Sequence, residues 1–176
     1  MDVHHGLDSL SRGAVLALGN FDGVHLGHQR VLAAAREMAA RMQAPAGVLT
    51  FSPHPRQVLR PDEPPFRLSR PESQARRFAE AGMDLAVFLP FDEALCRMPA
   101  GAFVQTILHD MAGASGIVCG YDFLFGWKRG GNTKFLEHLG DVHGFGVRIV
   151  PPQYGGDDHL YSSSAIRHAL RQGQPE

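Results

Sequence analysis

The 176-residue chain has two cysteines, one tryptophan, no strong net charge and no long apolar run. Cys96 and Cys119 alone give no disulfide framework, and Cys119, in an apolar strand, reads as a reduced core residue. A formal net charge of −1 provides no broad basic field for nucleic acid or an anionic membrane. No apolar stretch reaches the roughly 18 residues a spanning helix needs. The N-terminal region holds His4, His5 and Asp8 instead of a basic start followed by an apolar segment, so no signal peptide is expected and the cytoplasm is the expected location. What is present is ordinary for a folded domain: 44% hydrophobic and 20% charged residues, in a length suited to one domain with a proper core.

The order of elements predicts an α/β fold, a single Rossmann-like, doubly wound domain with a mainly parallel sheet. Apolar runs at Ala14–Leu18, Gly47–Phe51, Leu85–Leu89, Gly116–Cys119 and Val147–Val150 read as strands. Between them, helical periodicity covers Leu26–Met42, Glu72–Glu80, Gly101–Met111 and Thr133–His143. Ser52–Leu68, rich in proline, reads as a long loop. Phe123, Phe125 and Trp127 alternate as a half-buried strand would. Alternating strands and helices imply a parallel sheet, with its ligand outside the carboxyl ends of the strands.

The most informative stretch is Gly19-Asn20-Phe21-Asp22-Gly23-Val24-His25-Leu26-Gly27-His28. It joins a buried strand to a helix N-terminus, where free N–H groups and the helix dipole favour an anion. Gly19, Gly23 and Gly27 let backbone approach a ligand closely. His25 and His28 are three apart and share a face, and a nearby phosphate would favour their protonated form. The pair could equally be structural or hold a metal, for which Asp22 is the only nearby third ligand. A second motif, Tyr161-Ser162-Ser163-Ser164-Ala165-Ile166-Arg167, opens the last helix. Its serines are ordinary N-cap residues, but the same hydroxyls, N–H groups and the Arg167 guanidinium also suit a triphosphate.

These two motifs resemble the HxGH and ISSTxIR signatures of the nucleotidyltransferase superfamily. Two more narrow the family: Thr50-Phe51-Ser52-Pro53-His54-Pro55 and Gly120-Tyr121-Asp122-Phe123-Leu124-Phe125-Gly126 are similar to the TFxPHP and GxDFxFG motifs of bacterial FAD synthetases. The resemblance runs from about Ala14 to Gly173 and includes Arg67-Leu68-Ser69 and Leu89-Pro90-Phe91-Asp92. It implies an adenylyltransferase module filling the 176 residues, with no riboflavin kinase module after it.

The resemblance further implies that FMN attacks the α-phosphorus of MgATP to give FAD and pyrophosphate. It assigns catalysis to His25, His28, Ser164 and Arg167, and ATP binding to Gly19, Phe21, Gly27, His28, Ser162, Ser163, Ser164 and Arg167. FMN falls to Asn20, Phe21, Pro53, His54, Pro55, Asp122 and Phe123. Magnesium is expected to travel on ATP without a dedicated protein cage, and the partners are small molecules, not nucleic acid or membrane. Tyr121 stands where Asn or Asp is usual, and Ser164 and Ser69 replace threonines. A nucleotidyltransferase for another acceptor, or a non-catalytic flavin or nucleotide binder, are the alternative readings.

Overall fold

Leu16 and Leu18 belong to one buried cluster and Val15 and Ala17, between them, to another. A strand buried on both faces needs cover on both sides, which parallel sheets obtain from crossover helices. In the computed structural model, which describes every residue except 9, 11, 65, 156–159 and 174–176, this cover is complete. The strands are β1 (Asp2–His4), β2 (Val15–Leu18), β3 (Ala46–Ser52), β4 (Leu85–Pro90), β5 (Gly116–Gly120) and β6 (Gly146–Val150). They form one sheet in the order β1-β4-β3-β2-β5-β6, with every pairing parallel.

Neighbouring strands keep the same alternation in register. Val48 lies beside Ala86 on one face, and Leu49 beside Val87 on the other. The first face is covered by α1 (Leu26–Met42), through Val31, Leu32, Ala34, Ala35 and Ala39, and by Phe78 of α3 (Pro71–Glu80). The opposite face is covered by Leu95 of α4 (Glu93–Cys96), by α5 (Ala100–Ala102, continuing through Phe103–Met111) and by Leu136 of α6 (Thr133–His143). Helix α7 (Ser163–Arg171) is the last element.

The doubly wound reading holds, with local corrections. The edge strand β1 has no counterpart among the expected strands; three residues are too few to show a period. The Ser52–Leu68 loop contains the short helix α2 (Pro55–Leu59), with Pro55 at a first-turn position and His54 as its N-cap. Pro is pre-set for that position, so the residue that reads as a loop marker starts a helix. The Gly101–Met111 helix is a π-helix from Phe103, with Ala112 N–H donating to Ile107 C=O at 2.9 Å. Over nine residues the wider turn shifts the buried positions too little to be read from sequence. Phe123, Phe125 and Trp127 do not form a strand: only Phe125 makes a bridge, to Gly131, and Trp127–Arg129 is a 3₁₀ turn.

Strand order fixes where a ligand can sit. From β2 the chain builds outward through β3 and β4, then returns to place β5 and β6 on the other side of β2. The loops leaving β2 and β5 therefore part in opposite directions and leave a crevice at the carboxyl ends of those two strands.

Candidate active site

The crevice is a cleft of about 710 Å³. Its walls include Gly19, Asn20, Phe21 and Asp22 after β2, His25, Gly27 and His28 at the start of α1, and Asp122 and Phe123 after β5. His54 and Pro55 come from the segment after β3, and Ser162, Ser163, Ser164 and Arg167 from the start of α7. Thus the residues assigned to ATP or FMN in sequence converge on one cavity, except Pro53; Gly23 of the histidine turn does not line it either.

The histidines are held tightly by the helix they introduce. His25 is the N-cap of α1, and its Nδ1 accepts the His28 backbone N–H at 3.3 Å. That bond occupies the Nδ1 lone pair, so in the neutral ring the proton is on Nε2. His28 stacks on His25 with ring centroids 3.6 Å apart, and Phe21 meets His28 edge-on at 5.2 Å. His28 Nδ1 is buried without a hydrogen-bond partner among the described residues, which leaves Nε2 as the nitrogen able to meet a ligand. Burial pushes both histidines below their ordinary pKa, His28 to about 3. Desolvation keeps the rings neutral at pH 7, and the protonated form would be favoured only by the negative charge of a phosphate beside them.

The glycines of this turn also make room for neighbouring side chains, while Gly19 and Gly27 line the cleft. A Cβ on Gly19 would meet the Phe21 ring at 3.3 Å, on Gly23 the Leu68 Cδ1 at 2.9 Å, and on Gly27 the His25 ring at 3.1 Å and the Tyr161 carbonyl at 3.2 Å. Each makes room for protein, and Gly23, at φ +83°, also uses backbone freedom that other residues lack. Phe21 is 1% exposed, so its side chain packs beneath the site against His28 and Phe78 and offers little surface to ligand.

On the far wall, Ser162 caps α7 by accepting the Ala165 N–H at 3.1 Å, and the Ser163 hydroxyl donates to the Asp22 carbonyl at 2.8 Å. The capping reading of the serines is therefore correct for Ser162, and Ser163 ties α7 to the β2 turn. Arg167 donates through Nη2 to Asp22 Oδ2 at 2.6 Å and through Nε to the Phe66 carbonyl at 2.9 Å. Its guanidinium also lies over the Phe66 ring, 5.2 Å from the centroid. His54 is buried, contrary to the loop reading: its Nδ1 accepts the Arg56 N–H at 3.1 Å, and its ring meets Phe66 edge-on at 5.1 Å. Burial lowers its pKa to about 4.

Asp22 is the residue sequence reasoning undervalued, having weighed it only as a metal ligand. It is buried, and it accepts hydrogen bonds from Leu68 N–H, Ser69 N–H and the Ser69 hydroxyl as well as from Arg167. Among the described residues no cluster of three or more His, Cys, Asp or Glu is arranged to hold a metal ion.

A family model described as FAD synthetase matches residues 7–165. The chain belongs to the FAD synthetase family. It is 39% identical over 166 residues to a bifunctional riboflavin kinase/FMN adenylyltransferase of Pseudomonas fluorescens, covering 94% of this chain and 53% of that protein. Against the protein of the same description from Escherichia coli K12, identity is 32% over 174 residues, covering 97% and 55%. The chain thus spans about half the length of the curated relatives it matches. Among solved structures, one described as a macrolide-efflux protein from Streptococcus pneumoniae matches with TM-score 0.83 and 27% identity, over 98% of this chain and 58% of that one. Pantothenate synthetase from Thermus thermophilus matches with TM-score 0.63 and 18% identity, over 99% and 71%. The latter likeness is one of fold alone. Among the described residues, no helix is long and apolar enough to cross a membrane.

Proposed function

We propose that the chain is an FMN adenylyltransferase, making FAD and pyrophosphate from FMN and MgATP. The observation that carries this reading is the convergence of the β2–α1 histidine turn and the α7 serine–arginine turn on one cleft at the sheet's switch point. A nucleoside triphosphate lies across these two turns, with its α-phosphate beside His25 and His28 and its β- and γ-phosphates toward Ser164 and Arg167. FMN enters from the His54 and Phe123 side and brings its phosphate to the opposite face of the α-phosphorus.

An FMN phosphate oxygen forms the new bond to the α-phosphorus. The bond from that phosphorus to the bridging oxygen breaks, and its electron pair leaves on pyrophosphate. The nucleophile is already anionic at neutral pH, so no general base is required; catalysis is positioning and charge stabilisation. His25 donates from Nε2, because its Nδ1 is committed to the helix cap. His28 donates as a neutral ring or takes up a proton as phosphate arrives. Phe123, stacked on Phe125 at 5.5 Å, offers an aromatic face to a planar ring.

Magnesium is carried with ATP and neutralises phosphate charge. Among the described residues, the acidic side chains of the wall are Asp122, which is exposed and suits magnesium, and Asp22, which is committed to Arg167. The partners are small molecules, since the net charge of −1 gives no attraction for nucleic acid. Location in the cytoplasm accords with two free cysteines. The test is direct: purified protein with FMN, ATP and magnesium should yield FAD and pyrophosphate by chromatography. A product with pantetheine phosphate or nicotinate mononucleotide, and none with FMN, would refute the acceptor.

A further inference from the structure

Arg167 reaches the cleft from α7, yet its side chain is only 12% exposed. Two acceptors hold it, the Asp22 carboxylate on Nη2 and the Phe66 carbonyl on Nε. Nε–H and one Nη2–H form the lateral edge of the planar fork, so both bonds are made from the same side. The end edge, formed by Nη1 and the outer Nη2–H, makes no hydrogen bond among the described residues, its geometry suits a second bidentate partner, and Arg167 lines the cleft.

Asp22 is itself fixed from the other direction. Its Oδ1 accepts Leu68 N–H at 2.9 Å, Ser69 N–H at 3.0 Å and the Ser69 hydroxyl at 3.3 Å, while the Ser69 hydroxyl also accepts Gly23 N–H at 2.9 Å. The carboxylate charge is therefore spread over fixed donors of the protein, in addition to Arg167. If Arg167 swung away to meet a phosphate, Asp22 would keep a buried negative charge without its cation, which is costly. If Arg167 stays, a phosphate at the end edge adds bonds and breaks none.

We propose that Asp22 is the positioning residue of the triphosphate clamp: it grips the lateral edge of Arg167 so that the end edge faces ATP, and it keeps this grip in the nucleotide complex. This rests on the adenylyltransferase reading above. The Asp22–Arg167 pair joins turns 145 residues apart, so the clamp exists only in the folded chain.

Calorimetric titration of ATP and FMN, each alone, onto Asp22→Asn, Arg167→Ala and the double variant tests this. Asp22→Asn should weaken ATP about tenfold, the scale of coupling between contacting residues, and leave FMN affinity within about twofold. In the Arg167→Ala background the same change should leave ATP affinity within about twofold, because the group it positions is gone. Equal loss in both backgrounds, or equal loss of both ligands, overturns the proposal. The unsubstituted chain gives a readout that no folding defect can mask: the Arg167 Nη2–H that meets Asp22 Oδ2 should stay protected from exchange when a non-hydrolysable ATP analogue binds. Loss of that protection means the grip is released and also overturns it. An unsubstituted chain that binds no ATP defeats the adenylyltransferase reading itself, an outcome distinct from the others because it precedes any substitution.

Discussion

At the scale of single residues, the two ends of the cleft make separable demands. In the proposed reaction His28 meets the transferring phosphate through one ring nitrogen, so His28→Ala should lower turnover by about 10²–10³ while FMN affinity is retained; that is the usual cost of one such electrostatic contact. Steady-state rates beside FMN titration check it, and unchanged turnover would remove His28 from the chemistry. His54 needs a gentler substitution, since it is buried and caps α2. His54→Asn keeps a capping acceptor and removes the ring, and it should weaken FMN binding while sparing ATP. These residues were legible because each motif is short and its chemistry is local. Asp22 was not legible in this sense. Its partners stand 46, 47 and 145 residues away, and nothing in the sequence announces that a carboxylate in a glycine-rich turn will be buried under an arginine from the last helix.

At the scale of elements, the side chain proposed for catalysis at the start of α1 also builds its own helix. The N-cap of α1 is normally a Ser, Thr, Asp or Asn position, and here an imidazole nitrogen fills it. The two roles can be separated. His25→Ala loses both and should cost about 1 kcal/mol of stability together with turnover. His25→Asn should recover most of the stability and none of the turnover, as read by thermal denaturation and rate on the same samples. If Asn restored turnover, the ring would be a cap and nothing more. Helices α1 and α6 were readable at their full bounds because a long periodic face marks them. Strand β1 and helix α2 were not, being three and five residues long. Their identity is set by what they pack beside: β1 exists because the edge of β4 offers it hydrogen bonds.

At the scale of the whole molecule, the site's neutral histidines tie stability to pH. Burial lowers His28 from 6.5 to about 3 and His54 from 6.5 to about 4. Below 6.5 the unfolded chain takes up protons at these rings that the folded chain refuses. The unfolded state then binds more protons, so unfolding free energy falls as pH falls. The contribution is fully present above pH 6.5 and is lost progressively as pH drops toward the folded values of about 4 and about 3. Between pH 7 and pH 5 the midpoint of thermal unfolding should therefore drop, by about 2–4 °C for each kcal/mol lost in a chain of this size. His28→Asn, which cannot titrate, should show a smaller drop over the same interval. A polyphosphate in the cleft reverses the bias, because negative charge beside the rings favours their protonated form. ATP binding near pH 6 should then take up protons, visible as a binding enthalpy that changes with the ionisation enthalpy of the buffer. The uptake should shrink in His28→Asn. If it is unchanged there, the protons go elsewhere, and His28 meets the phosphate as a neutral donor throughout.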